Sequence, residues 1–308
     1  MNIIYNDTDI TTNVQPLKLR LIDHAGGKPD SIAAVFADTD GRWSKWRPTK
    51  NDRIRVLQDG YDSGVMFIDH IAQRPGQIEI KALSIPQTAK TARTQGWENI
   101  RLLEIATEIA NRYGFRLQTY NVINHLYRRV DQTEEADFAF LSARCELEGY
   151  ALKINDRTLV IYDERAEEQK PANPQKASIR LSDMIDFEFA DKSVDIYGKC
   201  VVRSQAAGGL IVAEHADRTI NGPTLTRSLY AADLAEAMRL ARGILRSYNK
   251  HRVIGKFITE LRPGFAAGSS VIIQDVGMFD GQYFVDSLIH DLIQGRTRFT
   301  VRRPLEGY

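Results

Sequence analysis

The spacing of apolar residues changes twice along the chain. Apolar and polar residues alternate over 1–88, apolar residues recur at three- and four-residue steps within 89–165, and alternation returns over much of 166–308. Alternation is typical of a strand with one buried face, whereas steps of three and four place side chains on one face of a helix. The pattern therefore predicts three domains with these bounds: a β domain, a small helix–helix–hairpin domain, and a mostly β domain with one long helix.

The first predicted domain contains about six strands. Alternating segments lie at 2–5, 17–22, 32–36, 53–57, 65–68 and 77–83. Short stretches rich in Asn, Asp, Gly and Pro separate several of them, and these residues favour turns. The number and spacing of the strands are typical of a barrel or a sandwich. A polar connector is predicted to follow at 84–96.

The middle domain opens with a predicted amphipathic helix. Its apolar face comprises Ile100, Leu103, Ala106, Ile109, Ala110 and Tyr113. Asn99 is the predicted N-cap, because its side chain can accept a hydrogen bond from a free N–H of the first turn. Gly114 is the predicted C-terminal stop, because glycine adopts the left-handed conformation needed there without steric cost.

A second helix and a hairpin complete the middle domain. Asp131 and Glu134 have the spacing of a capping box, so we expect the helix to begin there. Gly149 is expected to end it, and its predicted buried face comprises Phe138, Leu141 and Cys145. Alternating segments at 151–154 and 158–162 then flank Asn-Asp-Arg, which predicts a β-hairpin.

Residues 163–177 are predicted to be a linker, and the third domain follows. The segment is charged, carries Pro171 and Pro174, and lacks large apolar residues. A helix is predicted over 230–250, with Leu234, Met238, Ala241 and Leu245 on its buried face. A flexible turn is expected at 206–209, and the predicted strands lie at 185–189, 194–202, 210–213, 253–261, 271–274, 282–293 and 296–303.

Composition indicates a soluble globular protein with two or three domains. The chain has 308 residues, of which 43% are hydrophobic and 26% are charged. Its 41 basic and 40 acidic residues give a net charge of +1. A dedicated binder of nucleic acid or of an anionic membrane would usually carry a basic excess. We therefore expect no sequence-specific nucleic-acid partner and no stable membrane insertion.

Cysteine content and the N-terminal sequence argue against a secreted, disulfide-built domain. Cys145 and Cys200 are the only cysteines, and each is predicted to be a buried free thiol. The N-terminus lacks the charged segment and apolar core of a signal peptide. No apolar run approaches the ~18 residues of a transmembrane helix.

Known motifs for metal binding and nucleophilic catalysis are absent from the sequence. No two of the six histidines lie within five residues of each other, which excludes the His-Glu-x-x-His zinc motif. Strand histidines such as His70 and His290 are therefore expected to have structural roles. Asp38-x-Asp40-Gly41 looks like half of a calcium loop, but the ligand position that requires Glu is Thr49, which favours a simple turn. Trp43 and Trp46 are expected to pack in or beside the core.

A carboxylate-rich run offers the best candidate for enzymatic chemistry. It comprises Glu134, Glu135, Asp137, Glu146 and Glu148. Two such groups can form the acid pair of a glycoside hydrolase. We prefer a solvated helix face with a charged first turn, which the helix dipole favours. Convergence of residues that are distant in sequence stays open.

The order of motifs in the middle domain resembles a known family. Trp97-Glu98-Asn99 opens onto Leu-x-x-Ile-Ala-x-x-Ile-Ala; Asp-Gln-x-x-Glu-x-Asp-x-x-Phe-Leu and then Glu-Gly-Tyr-Ala-Leu-Lys follow. This order resembles the late control gene D family of phage tail proteins, which form the baseplate hub of contractile tails and related phage-like particles. Residues 38–52 and 280–290 resemble the family's first and closing barrels, so the resemblance covers nearly the whole chain.

The resemblance implies an α+β, mainly β fold in which two tail-tube-like β-barrel domains flank the helix–helix–hairpin domain. It implies a homotrimer that joins the tail tube protein to the spike protein. The tape-measure protein and other baseplate proteins are the further partners implied. The implied location is the tail baseplate of a virion or phage-like particle, assembled in the host bacterial cytoplasm. We predict no enzyme, and no catalytic, cofactor-binding or metal-binding residues.

Two alternatives stay open. The first is a peptidoglycan hydrolase delivered with the tail, for which the carboxylate content is the best support. The second is the hub-like part of a type VI secretion spike. That family usually joins hub and spike in one longer chain, and 308 residues are expected to leave no room for the spike.

Overall fold

The computed structural model describes residues 1–206 and 208–307, so part of the predicted turn at 206–209, Ala207, lies outside the described residues. The fold is mainly β. Strands of the first region are β1 (Asn2–Tyr5), β2 (Thr8–Asp9), β3 (Pro16–His24), β4 (Ser31–Ala37), β5 (Arg53–Gln58), β6 (Tyr61–Asp62), β7 (Met66–Arg74) and β8 (Gln77–Leu83). All six predicted strands of this region are present.

The remaining strands follow in chain order. In the middle region they are β9 (Ala92–Arg101), β10 (Arg116–Tyr120), β11 (Leu126–Ala136), β12 (Tyr150–Asn155) and β13 (Thr158–Asp163). In the last region they are β14 (Ser178–Arg180), β15 (Met184–Asp191), β16 (Lys199–Ala206), β17 (Gly209–Ala216), β18 (Thr224–Ser228), β19 (Val253–Glu260), β20 (Ser270–Gln274), β21 (Gly281–Asp291) and β22 (Arg296–Arg302).

The helices are short except for one. They are α1 (Arg42–Trp46), α2 (Leu102–Arg112), α3 (Asp137–Leu147), α4 (Glu164–Glu168) and α5 (Leu234–Asn249). No helix in the described ranges has the length and hydropathy needed to cross a bilayer.

One sheet contains strands from both ends of the chain. Its main path runs β15-β19-β22-β21-β3-β4-β8-β7-β5-β1-β2, and β6, β14 and β20 pair at its sides. The two β regions meet where β21 pairs antiparallel with β3, with Ser287 opposite His24. The closure of each region into its own tube-like barrel stays a prediction, because the described strands form one continuous sheet.

Separate apolar cores lie within the three regions. The first encloses Phe36 and Trp43 between strands β1 to β8, and Trp46 packs at its rim beside Tyr5. The middle region has its own core around α2, α3 and the β12–β13 hairpin. In the last region one core lies among β19 to β22, and another lies between α5 and the three-stranded sheet β17-β16-β18. The predicted packing role of both tryptophans is confirmed.

The first helix of the middle region begins later than predicted. Asn99 is not its N-cap: Asn99 and Ile100 belong to β9, and α2 begins at Leu102. The cap comes from elsewhere in the chain, because Asn124 Oδ1 accepts a hydrogen bond from the Leu103 N–H at 3.0 Å. Gly114 does follow the helix with a left-handed φ of 66°, as predicted.

The predicted capping box at Asp131 and Glu134 is wrong, because both residues lie in β11. This strand pairs antiparallel with β9, with Asp131 opposite Gly96. The two-stranded sheet of β9 and β11 buries few side chains, among them Trp97 and Val130. Its other positions are mostly polar on both faces, so no alternation marks these strands in the sequence.

The second helix and the hairpin are otherwise confirmed. Phe138, Leu141 and Cys145 are buried on α3, and Gly149 follows the helix with a φ of 80°. Strands β12 and β13 pair across a two-residue turn, Asp156-Arg157, in which both φ angles are positive, as a type I′ turn requires. Burial raises the pKa of the Cys145 thiol to about 12, and Cys200 is also buried and free.

The predicted linker is partly wrong. Residues Glu164–Glu168 form α4, and both glutamates that bound this helix are buried. Asp163 caps α4, because its Oδ1 accepts a hydrogen bond from the Ala166 N–H at 3.0 Å. A short charged helix therefore lies inside the protein at the point where a solvated connection was expected.

The long helix is present, but its buried face is rotated from the prediction. Leu234 and Met238 are 55% and 51% exposed, whereas Ala241 and Leu245 are buried as expected. Gly243 lies where α5 crosses the end of α3. A Cβ on Gly243 would lie 2.0 Å from the Leu147 carbonyl oxygen, so glycine permits the close crossing of α5 over the end of α3.

Replacing Phe138 with alanine tests the packing of the middle core. Its ring lies 5.7 Å from that of Phe115 and 5.0 Å from that of Tyr113. We expect Phe138→Ala to lower the free energy of unfolding by about 3–5 kcal/mol, because it opens a cavity in a close-packed core. Urea unfolding measures this change. Tyr120→Ala, at a half-exposed tyrosine, is the control and should cost much less; equal losses would contradict the assigned core.

Candidate assembly site

The carboxylates considered as an acid pair lie in separate environments. Glu134 and Glu135 are in β11 rather than on a helix, and Glu146 is exposed on α3. Asp137 and Glu148 are buried near opposite ends of α3. The preferred interpretation, a solvated helix face, is therefore wrong for these two residues.

Asp137 is surrounded by hydrogen-bond donors. It accepts hydrogen bonds from Arg112 Nη1 at 2.6 Å, from the Tyr113 hydroxyl at 2.7 Å and from Gln132 Nε2 at 2.9 Å. Burial opposes ionisation, but these donors outweigh burial and hold the pKa of Asp137 below its usual value. A general acid needs a raised pKa at neutral pH, so this environment suits a structural carboxylate.

Glu148 has a similar role at the other end of α3. The Tyr127 hydroxyl donates to its Oε1 at 2.9 Å, and Arg239 Nε donates to its Oε2 at 3.1 Å. Arg239 lies on α5, so this carboxylate ties the middle region to the long helix of the last region. Both of its oxygens are engaged within the protein.

The strand histidines differ in burial. His290 is buried, with its ring nitrogens 3.0 Å from Thr297 Oγ1 and 3.2 Å from the Phe265 carbonyl oxygen, so its structural role is confirmed. His70 lies exposed on β7. Within residues 1–206 and 208–307, no group of three or more His, Cys, Asp or Glu side chains is arranged to hold a metal ion.

A buried charge cluster, which we call the arginine cluster, joins α4, α5 and β22. Arg302 is fully buried and pairs with Glu168, with Glu164 at 2.9 Å and with Asp286 at 3.2 Å. Arg246 pairs with Glu168 at 2.6 Å. Burial opposes the ionisation of Glu164, but Arg302, Lys250 and Arg246 outweigh it and lower its pKa. No local pattern in the sequence indicated this cluster.

A second buried cluster, the lysine cluster, joins the hairpin to both β regions. Lys153 pairs with Asp23 and lies 3.4 Å from Asp30. Asp23 Oδ2 also accepts a hydrogen bond from the Ala267 N–H at 2.8 Å. Burial raises the pKa of Asp30 to about 7. The lysine cluster therefore holds residues of all three regions at one point.

A cavity of about 370 Å³ lies between residues of the three regions. Its lining includes His24, Tyr150, Glu164, Lys250 and Asp286, a mixture of cationic, anionic and neutral side chains. Such a balanced lining does not select an anion or a cation.

The exposed edge at β15 is the main candidate for an assembly surface. Strand β15 ends the large sheet, so one side of its backbone has no strand partner in the described chain. Phe189 packs against Phe257 in the core, whereas Phe187, on the same face of the strand, remains 47% exposed. Ile185 and Leu181 add exposed apolar area nearby in the sequence. The apolar core thus continues to an open sheet edge, a feature that favours association with another strand.

Comparison with solved structures places this fold among those of tail proteins. No family model and no curated protein matches the sequence. The 43 kDa tail protein of prophage MuSo2 from Shewanella oneidensis has a TM-score of 0.74 at 13% identity, over 98% of each chain. The tail protein from Neisseria meningitidis MC58 has a TM-score of 0.73 at 12% identity, over 98% of this chain and 95% of that chain. At these identities the similarity shows a common fold.

A third structure extends the comparison to secretion systems. The c3393 protein of E. coli, a component of the type VI secretion system, has a TM-score of 0.61 at 13% identity. The similarity covers 96% of this chain and 75% of that chain. The fold is thus similar to those of phage tail proteins and of a type VI component.

Glu164→Gln tests the arginine cluster through its pH dependence. Because the folded pKa of Glu164 is lowered, its stabilising effect is complete above its unfolded pKa of about 4.3 and is lost gradually as the pH falls from there through the folded pKa. We expect the variant to lose about 3–5 kcal/mol of unfolding free energy at pH 7, and a smaller amount at pH 3, where part of the effect is already lost.

Urea unfolding at both pH values measures the difference between wild type and variant. Glu260→Gln is the control, since Glu260 is exposed and forms no ion pair within the described ranges. The control should follow the wild-type profile. A difference for Glu164→Gln that does not change between pH 7 and pH 3 would contradict the lowered pKa.

Proposed function

We propose that this protein is a structural component of a phage tail or phage-like particle, and that it forms the baseplate hub of a contractile tail. The observation that carries the proposal is the common fold with the S. oneidensis prophage tail protein over 98% of each chain. The motif order that resembles the late control gene D family supports the hub assignment. The engagement of Asp137 and Glu148 in structural hydrogen bonds supports a role without catalysis.

In this proposal residues 1–88 and the β strands of 166–308 are two tube-like barrels, and residues 89–165 are the domain between them. Separate apolar cores in these regions support the division. The proposed partners are the tail tube protein, the spike protein, the tape-measure protein and other baseplate proteins. The proposed location is the virion tail baseplate, after assembly in the host bacterial cytoplasm.

The proposed assembly is a homotrimer. A part that joins a six-fold tube to a three-fold spike shares only three-fold symmetry with both. Contacts in such a ring are heterologous, because each subunit presents a different patch on each side and the ring closes after three steps. The open edge at β15 supports this arrangement, since a strand edge can pair with a different surface of the next subunit.

Size-exclusion chromatography with light scattering tests the trimer. We expect a species of about 105 kDa, three times the chain mass of 34.9 kDa, at high protein concentration. Phe187→Asp should shift this species towards the monomer, because it places a charge on the proposed contact. The control is Tyr120→Asp, which places the same charge at an exposed aromatic residue outside β15. A stable dimer or tetramer that persists when the spike protein is added would rule out the hub.

The second candidate is the hub-like part of a type VI secretion spike. The fold similarity to the E. coli type VI component favours it, although the TM-score of 0.61 is below the values for the two tail proteins. Neighbouring genes discriminate between the two functions. A tape-measure gene upstream and a spike gene downstream would favour the phage tail, whereas genes for a type VI sheath and effectors would favour secretion.

Zymography tests the remaining alternative, a tail-delivered peptidoglycan hydrolase. We expect no cleared band at the position of the refolded chain in a gel that contains peptidoglycan. Lysozyme in a neighbouring lane is the positive control. A cleared band that Asp137→Asn or Glu148→Gln abolishes, while the refolded variant keeps the wild-type circular dichroism spectrum, would overturn the structural assignment.

A further inference from the structure

A second, smaller cavity lies beside α5, where this helix meets α4 and the end of α3. Its volume is about 100 Å³. Three arginines line it: Arg165 of α4, and Arg242 and Arg246 of α5. The carboxylates that line it are Glu148 and Asp163. The cavity is therefore unusually rich in guanidinium groups.

Arg246 lines this cavity and has unused hydrogen-bond donors. The residue is 4% exposed, and its Nη2 pairs with Glu168 at 2.6 Å and Glu164 at 3.4 Å. Its Nε and Nη1 atoms are buried and have no hydrogen-bond partner among the described residues. Buried N–H groups without an acceptor are costly and rare in folded proteins, so an acceptor in the cavity would stabilise this state.

The two other arginines carry positive charge that the described chain does not neutralise. Arg165 and Arg242 are exposed, and neither forms an ion pair within 4 Å in the described ranges. Arg242 precedes Arg246 by one helical turn, so the two like charges share a face of α5 and repel each other. An anion between them would convert this repulsion into attraction.

The carboxylates at the cavity are already committed to other groups. Both oxygens of Glu148 accept hydrogen bonds, from Tyr127 and from Arg239. Asp163 caps α4 through its Oδ1. Arg239 balances Glu148, and Glu168 and Glu164 balance Arg246. Arg165 and Arg242 therefore face only the charge of Asp163, and the cavity keeps a small excess of positive charge.

We propose that this cavity binds a small free oxyanion of the phosphate or sulfate class. Arg246 donates from Nε and Nη1, and Arg242 and Arg165 hold the anion from the solvent side. Arginine suits this role because its fork of N–H groups matches the oxygens of a tetrahedral anion. The cavity volume of about 100 Å³ leaves room for a small ion of this kind. The bound anion would brace α4 against α5.

Calorimetric titration of the full-length protein with inorganic phosphate tests the proposal. Ionic strength is held constant with chloride, and sulfate and acetate are titrated in parallel. We expect saturable binding of phosphate, competition by sulfate, and weaker binding of acetate. Acetate binding as tight as phosphate binding would overturn the proposal, because it would indicate a site for a carboxylate. A response that rises linearly without saturation would indicate a general salt effect and would also overturn it.

Matched arginine variants locate the site. Arg242→Gln and Arg165→Gln remove exposed side chains, so both should fold, and each should weaken phosphate binding by about tenfold through the loss of a charge-assisted hydrogen bond. Arg298→Gln, at an exposed arginine of β22 without an ion pair in the described ranges, should leave the affinity unchanged. Equal affinity in all four proteins would place the anion elsewhere.

A crystal soaked in selenate provides a readout independent of affinity. We expect an anomalous peak within hydrogen-bond distance of Arg246 Nε or Nη1. Water alone in the cavity at saturating selenate would overturn the proposal.

Discussion

The burial of Arg302 constrains the rest of the structure. This guanidinium has no contact with solvent, and it lies among Glu164, Glu168 and Asp286. Removing one partner from a buried ion pair typically costs about 3–5 kcal/mol, because the remaining charge is left without compensation. Strand β22, which carries Arg302, and helix α4 must therefore keep their relative positions, and Arg246 of α5 joins them through Glu168. A segment that would be a solvated linker by composition is instead a fixed joint.

The lysine cluster fixes the same block on its other side. Lys153 of the hairpin reaches Asp23 of β3, and Asp23 in turn holds the backbone of Ala267. With the β3–β21 pairing, the middle region is thus held against both β regions by charge and hydrogen bonds. Ion pairs and hydrogen bonds are directional, so they fix the orientation of the middle region against the β regions. Apolar packing alone would allow these surfaces to slide past each other.

The sequence was sufficient for several elements whose structure depends on near neighbours. The six strands of 1–88, the buried face of α3 and the β12–β13 hairpin follow from alternation, helical spacing and a two-residue turn. Sequence patterns did not predict contacts between residues that are distant in the chain. Strands β9 and β11 bury too few side chains to alternate, and the cap of α2 comes from Asn124. Charged residues such as Glu164 and Glu168 are usually exposed to solvent. Only the folded structure brings Arg302, more than 130 residues later in the chain, beside them. Arg165 and Arg246 of the small cavity are separated in the same way.

Strand β15 leaves one edge of the large sheet open in the described chain. Phe187 and Phe189 face the same side of the strand, but only Phe189 is covered by the core. Asp186 and Glu188, on the opposite face, are exposed, and such charges discourage indiscriminate stacking of sheets. The edge therefore combines unpaired backbone, half-covered aromatic area and a charged outer face. A monomer has no described element left with which to complete this side of the sheet, whereas a neighbouring subunit can add both a strand and the missing apolar contacts.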